Sequence, residues 1–171
     1  MFSHKKLLAL AIFACFILQN AKAQITFSAH ANTALPLFDW RFAFKPAIGG
    51  GARFGYHFTD VFALKISGDY ILFKGQETRF LQKSKIPIHV NGEFHFKIGR
   101  FKPFTGIGAG ITLERNIASI FRSKSTYFSA NVIGGISYAI SERAFIQLSS
   151  RFYWDIDSPL QTFSLGGGIT L

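Results

Sequence analysis

The chain has 171 residues, a formal net charge of +10 and a hydrophobic content of 49%. This is the length of a single domain. Its one cysteine, Cys15, lies close to the amino terminus, which excludes a disulfide framework as the source of stability.

The first 23 residues have the pattern of a secretory signal peptide. Two lysines precede an apolar run of twelve residues, Leu7 to Leu18, and residues 21–23 read Ala-Lys-Ala, as at a cleavage site. A membrane-spanning helix would need about 20 residues. We expect cleavage after Ala23; an uncleaved anchor and a lipoprotein signal ending at Cys15 are the alternatives. Since an exported chain does not meet nucleic acid, its basic charge predicts contact with anionic lipid.

Residues 24–171 alternate between apolar and polar side chains, and this period of two predicts β-strands. The clearest example is Lys85 to Lys97, with apolar positions from Ile86 to Phe96. A strand of this length exceeds the roughly 5–6 residues usual in soluble proteins and is enough to cross a bilayer, which takes about 9–11. In chain order, the predicted strands cover residues 24–35, 46–58, 61–73, 85–97, 103–114, 126–140, 143–154 and 160–171.

The connections between these strands alternate in length. Short turns are predicted at 59–60, 98–102 and 141–142, and longer loops at 36–45, 74–84, 115–125 and 155–159. Short turns on one side and long loops on the other are typical of an outer-membrane barrel. We therefore predict an all-β fold, a closed eight-stranded antiparallel up-and-down transmembrane β-barrel over residues 24–171.

Glycine on the polar faces of the strands indicates which face points inward. The interior of an eight-stranded barrel is barely wide enough for side chains, so glycine suits the inner face. The polar faces also carry too few charges for a surface in water. A soluble lipocalin-like carrier of an apolar ligand, with its apolar face inside, is the alternative. The glycines in question are Gly49, Gly51, Gly55, Gly106, Gly108, Gly110, Gly135, Gly166 and Gly168.

Four segments carry a resemblance to a known family: PAIGGGARFGYHF, TDVFALKISGDY, KPFTGIGAG and LGGGITL. With the signal peptide, they make the chain similar to the small eight-stranded outer-membrane β-barrel domain family of Gram-negative bacteria, which also bears a porin-family label. The resemblance implies an outer-membrane location. It also implies a surface or secretion-related protein partner, since some members assist secretion or adhesion. Members usually end on an aromatic residue, whereas this chain ends on Leu171.

Charged side chains on the inward faces predict a polar network in the lumen. Charges in a narrow lumen must be paired, because an isolated buried charge is very costly. The predicted lumen polar network consists of Arg53, Asp69, Glu93 and Arg151. It would fill the lumen of a monomer and block conduction; solvated side chains without fixed partners are the alternative.

A second interpretation is that this small barrel is an enzyme that acylates or deacylates lipopolysaccharide. It would need a nucleophile or base with an orienting partner. The candidates are His30, Asp69, Ser84 and His89, but they form no recognisable motif. His89 and Glu93 would lie about 13 Å apart on a strand, too far for one ion. We therefore expect no enzyme activity, no metal and no cofactor.

The predicted long loops are basic on balance and would meet lipopolysaccharide phosphates. The residues expected to do so are Arg41, Lys45, Lys74, Arg79, Lys83, Arg115, Arg122 and Lys124. Aromatic residues alternate in the first loop, at Phe38, Trp40, Phe42 and Phe44. This alternation predicts that the first hairpin extends above the membrane. The function predicted overall is a structural or surface-interaction role in the outer membrane.

Overall fold

The computed structural model describes residues 24–75, 82–117, 122–155 and 159–171. The predicted signal peptide and Arg79 lie outside these ranges. The elements are β1 (Gln24–Pro36), α1 (Trp40–Ala43), β2 (Ala47–His57), β3 (Phe62–Lys74), β4 (Gln82–His95), β5 (Phe101–Ile117), β6 (Arg122–Ala139), β7 (Ala144–Asp155) and β8 (Leu160–Thr170). Among the described residues, no helix is long and apolar enough to span a membrane.

The eight strands form a closed barrel in sequence order, and every neighbouring pair is antiparallel. β1 closes the barrel by pairing with β8, with Thr26 opposite Thr170. Closure gives each strand two neighbours, which satisfies the backbone hydrogen bonds that lipid cannot. The predicted all-β, closed, eight-stranded antiparallel fold is confirmed.

The barrel has two distinct ends. At the turn end lie residues 58–61, 96–100 and 140–143, together with Gln24 and Leu171. At the loop end lie α1 and the described strand ends Lys74, Gln82, Ile117, Arg122 and Asp155. Aromatic side chains are exposed near both ends, with Phe94, Phe96 and Phe101 at the turn end and Tyr70, Phe128 and Trp154 at the loop end. Such aromatic positions are typical of the two membrane interfaces.

The strands β4, β5 and β6 extend further towards the loop end than the sequence predicts. Gln82 pairs with Ile117, which in turn pairs with Arg122. The segment predicted as a loop over 115–125 is therefore largely strand, as are residues 82–84. Backbone pairing among the three adjacent strands holds these polar residues in extended structure, although residues such as Asn116 and Ser123 are common in turns.

The apolar faces of the strands point outward. Ile107 is 70% exposed and Leu165 is 64% exposed, whereas inward neighbours such as Ser164 are buried. A lipocalin-like carrier would have the opposite orientation, so this alternative is wrong. The outward apolar surface is the one that lipid would cover.

The nine glycines predicted to face inward do so, and none has room for a side chain. A Cβ added at any of the nine would lie within 3.0 Å of a neighbouring atom. At Gly55, for example, it would lie 2.6 Å from Thr26 Oγ1 and 2.9 Å from Lys65 Cγ. By contrast, an added Cβ at the outward-facing Gly68 would meet nothing within 4 Å. Crowding on the inner face therefore selects glycine there.

Candidate functional site

The centre of the lumen is crossed by an ion pair between β3 and β7, which lie on opposite sides of the barrel. Arg151 Nη1 lies 2.9 Å from Asp69 Oδ2, and both side chains are buried. The hydroxyl of Tyr153 donates to the same Asp69 oxygen at 2.8 Å. Alternation places all three side chains inward, so the pair spans the lumen.

Asp69 receives two further contacts from β1. His30 Nε2 lies 2.6 Å from Asp69 Oδ1, and Asn32 Nδ2 donates to that oxygen at 3.0 Å. Arg151 Nη1 also donates to Ser67 Oγ at 3.2 Å. The Asp69 carboxylate of β3 is therefore held by groups from β1 and β7, and this ties three walls of the barrel together.

Glu93, a second predicted member of the network, contacts two residues that lie outside the predicted network. Its Oε2 lies 2.7 Å from Lys65 Nζ and 3.2 Å from His95 Nε2. The contact between Lys65 and Glu93 follows from the register of β3 and β4. Ala63 is opposite Glu93, so Lys65 is the diagonal neighbour of Glu93. The alternation of apolar and polar residues predicts which face of the strand each residue occupies. It does not predict the register that brings Lys65 beside Glu93.

Arg53, the remaining predicted member, forms none of the observed ion pairs. Its Nη2 donates to Ser149 Oγ at 3.1 Å, and its side chain is buried. The structure thus brings Asp69 and Arg151 together, while Glu93 and Arg53 contact other side chains.

Two more buried ion pairs occupy the loop end of the lumen. Lys85 Nζ lies 2.8 Å from Asp155 Oδ2, joining β4 to β7. Lys83 Nζ lies 2.5 Å from Glu114 Oε1, and Tyr127 donates to the other oxygen of Glu114 at 2.8 Å. This corrects the placement of Lys83 among the residues that meet lipopolysaccharide. Because β4 begins at Gln82 and its odd-numbered positions face inward, Lys83 is buried.

The other predicted lipopolysaccharide-facing residues divide by position. Arg41 lies in α1, Lys45 lies between α1 and β2, and Lys74 ends β3; all three are exposed. Arg115 and Lys124 are exposed as well, but they lie in β5 and β6 rather than in a loop, and Arg122 is the first residue of β6. We call the five exposed residues the basic rim: Arg41, Lys45, Lys74, Arg115 and Lys124.

The first loop does not extend the hairpin, contrary to prediction, because residues 40–43 form the short helix α1. Phe38, two residues before α1, adopts a left-handed backbone conformation with φ of 53°. Phe38 and Phe42 are 69% and 65% exposed, whereas Phe44 is buried. The ring of Phe44 meets that of Phe73 edge-on at 6.1 Å.

Phe44 completes an apolar layer at the loop end of the lumen. Leu160 and Ile71 belong to it, with 1% and 0% exposure. The layer caps the polar network beneath it, since Tyr153 belongs to both. Its full membership is Ala34, Phe44, Ala47, Ile71, Phe73, Tyr153 and Leu160.

The turn end of the lumen contains a cavity of about 70 Å³. His57, His95 and Lys102 line it, and the two histidine rings are 5.0 Å apart. On its inner side His95 stacks on Phe104 at 5.4 Å, and Lys65 Nζ lies 5.5 Å from the centre of the same ring. The cavity therefore meets a layer of rings and the Lys65–Glu93 pair.

The candidate residues for an enzyme do not form a site that lipid could reach. His89 faces the lumen and contacts Ser129 Oγ at 2.9 Å, whereas Ser84 lies on the outward face of the same strand. His30 and Asp69 do contact each other, but inside the barrel. Within the described ranges, no group of three or more histidine, cysteine, aspartate or glutamate side chains could hold a metal ion.

Comparison with known proteins gives a family match and a set of similar folds. The model of the family described as outer membrane protein beta-barrel domain matches residues 8–169. No curated protein matches the chain significantly.

Three solved structures illustrate the similarity of fold. Neisserial surface protein A is 16% identical, with a TM-score of 0.62 over 87% of this chain and 96% of that one. The N-terminal β-barrel domain of Pseudomonas aeruginosa OprF is 18% identical, with a TM-score of 0.63 over 88% and 100%. Ail, the attachment invasion locus protein of Yersinia pestis, is 15% identical, with a TM-score of 0.62 over 89% and 99%. Identities this low establish the fold alone.

Proposed function

The chain belongs to the outer membrane protein beta-barrel domain family, and on that premise we propose that it is a non-conducting, non-catalytic barrel of the outer membrane whose basic rim contacts lipopolysaccharide. In this family's arrangement the turn end faces the periplasm and the loop end faces the cell exterior. The protein acts as a monomer, in a structural or surface-interaction role.

The observation that carries the proposal is the set of buried ion pairs across the lumen. Arg151 and Asp69 connect opposite walls, and the Lys65–Glu93 pair lies nearer the turn end. An ion that entered would have to displace these pairs and then pass the apolar layer around Phe44, at a high desolvation cost. Porin channels need about 16 strands to leave an aqueous path.

The basic rim supports contact with lipopolysaccharide. Its five side chains are exposed at the loop end, and ammonium and guanidinium groups form charge-assisted hydrogen bonds with phosphates. Arg41 also lies over the ring of Phe42, with Cζ 4.6 Å from the ring centre. Phe38 and Phe42 add exposed apolar surface beside this charge, which supports a surface partner as well.

The rim is tested by charge reversal at Lys45, Lys74 and Lys124, each replaced by glutamate. We expect the triple variant to bind lipopolysaccharide micelles about fivefold to tenfold more weakly than the wild type at low salt. The matched control reverses three exposed residues of the turn end, Lys97, Arg100 and Arg143. Equal losses in the two triple variants would contradict a role for the rim.

The lumen is tested in parallel by ion release from vesicles that contain the purified barrel. We expect vesicles with the wild-type protein to retain their ions as long as empty vesicles do. The control for insertion is the heat-modifiable gel migration of the same sample. Rapid release from vesicles that hold folded barrel would contradict a non-conducting lumen.

A further inference from the structure

The hairpin of β5 and β6 extends beyond β7 at the loop end. β6 pairs with β5 as far as its first residue, Arg122, whereas β7 pairs with β6 only as far as Asp155, which is opposite Ser129. Leu160 already pairs back onto β7, and the four residues between Asp155 and Leu160 are too few to run up to the level of Arg122 and return. Residues 122–128 of β6, which we call the β6 edge, therefore have β5 on one side and no described strand on the other.

The backbone groups of alternate residues on the β6 edge point away from β5. The amide of Ala139 donates to Arg100 O, on the β5 side of β6. The pairing continues from there without a break, and the direction of the N–H and C=O groups alternates along an antiparallel strand, so odd-numbered residues of β6 bond to β5. The N–H and C=O groups of Lys124 and Thr126 consequently point away from β5. Each of these residues presents one donor and one acceptor to a further strand.

The outward surface beside the β6 edge is positively charged. Arg115 of β5 is directly opposite Lys124 of β6, and both side chains are exposed. Neither forms an ion pair among the described residues. Like charges in directly opposite positions destabilise a sheet. A carboxylate on an added strand, opposite Lys124 and within about 5 Å of it, would offset this repulsion.

The backbone and the charge together select the occupant of this edge. A phosphate can accept a hydrogen bond from an edge N–H but cannot donate one to an edge C=O. In a β6-to-β6 pair of two copies, the Lys124 and Arg115 side chains of both copies would come together, which their repulsion opposes. We propose that the β6 edge binds an extended acidic segment of a partner protein, which adds to the barrel as a further strand with a carboxylate opposite Lys124. This inference goes beyond the contact between the basic rim and lipopolysaccharide and does not depend on it.

The proposal is tested with the purified barrel in detergent micelles and a fluorescent peptide of eight residues in which threonine and glutamate alternate. We expect this peptide to bind at least about tenfold more tightly than the same peptide methylated on every backbone nitrogen, because methylation keeps the charge and removes the hydrogen-bond donors. Equal binding of the two peptides would overturn the proposal, since charge alone would then account for it. Binding of lipopolysaccharide micelles without binding of the peptide would overturn it as well.

Two substitutions at Thr126 separate the backbone from the charge. Thr126→Pro removes an N–H of the edge but leaves the pairing with β5 and the charges of Arg115 and Lys124 in place. We expect it to weaken binding of the unmethylated peptide by about tenfold or more, whereas Thr126→Val, which keeps the N–H, should bind as the wild type does. Full binding by folded Thr126→Pro, with folding checked by heat-modifiable gel migration, would contradict strand addition.

Hydrogen exchange in the wild type reads the same contact without a substitution, and it decides if Thr126→Pro fails to fold. On addition of the peptide, the amides of Lys124 and Thr126 should exchange at least about tenfold more slowly. The amides of Ser123 and Ser125 already point towards β5 and should change much less. No slowing at Lys124 and Thr126, or equal slowing at all four amides, would overturn the proposal.

Discussion

Arg151 of β7 and Asp69 of β3 contact each other across the lumen, with 2.9 Å between Nη1 and Oδ2. The pair joins two strands that are four apart in the barrel, so it braces opposite walls. Tyr153, His30 and Asn32 supply further hydrogen bonds to the same carboxylate. This arrangement makes the centre of the lumen part of the stabilising core of the protein.

Breaking the central pair should be strongly destabilising. Arg151→Met leaves the Asp69 carboxylate buried without its main cation, and we expect a loss of about 3–5 kcal/mol in the free energy of unfolding. Urea unfolding in detergent measures this loss. Adding Asp69→Asn should recover part of it, because the buried charge is then removed.

The control for that measurement is Arg115→Met, at an exposed position of β5. It should change the free energy of unfolding by no more than about 0.5 kcal/mol. If Arg151→Met changed the free energy of unfolding as little as this control, the central pair would not contribute to stability.

The crowding of the inner face predicts opposite outcomes for two glycines. Gly106→Ala places a methyl group 2.5 Å from the Gly92 carbonyl oxygen and 2.9 Å from Glu93 Cγ. We expect a loss of about 1–3 kcal/mol in stability. Gly68→Ala, on the open outer face, should be neutral or stabilise by up to about 1 kcal/mol. The same effect for both substitutions in urea unfolding would show that crowding does not select glycine here.

The apolar layer predicts a large difference between two phenylalanines of the first loop. Phe44→Ala removes a buried ring that contacts Phe73, and we expect a loss of about 3–5 kcal/mol. Phe42→Ala, at a position 65% exposed, should have little effect on stability. Similar midpoints for the two variants in urea unfolding would contradict the seating of Phe44 in the lumen.

Cysteine labelling tests the orientation of the barrel and the burial of Lys83. Residues 24–171 contain no cysteine, so each single substitution introduces one thiol into this part of the chain for the maleimide to label. In intact cells, an impermeant maleimide should label Lys74→Cys and leave Lys83→Cys unlabelled. Arg100→Cys, in a turn-end connection, should react only after the outer membrane is permeabilised. Labelling of Arg100→Cys in intact cells would show that the barrel is inverted.

Much of this architecture follows from local sequence pattern. The period of two defines each strand and its outward face, and this holds even for β4, where Pro87 interrupts the ladder donors. The lumen glycines are predictable for the same reason, since their position on a face depends only on parity. Strand ends are less predictable: in β5 and β6 the polar residues stay extended because neighbouring strands pair with them.

The partners inside the lumen depend on register and on loop folding, which alternation does not determine. The Lys65–Glu93 contact requires the offset between β3 and β4, and Lys85–Asp155 requires closure of the whole barrel. Phe44 is buried after a loop that contains the left-handed Phe38 and the helix α1, whereas the sequence alternates as an extended strand would. Tertiary contacts therefore decide the site, although local pattern decides the fold.

Single-channel recording in a planar bilayer tests most directly whether the lumen is filled. The purified wild-type barrel, inserted and folded, should give no stable conductance steps above those of the bare bilayer. Stable conductance steps in the folded wild type would contradict a lumen closed by buried charge pairs.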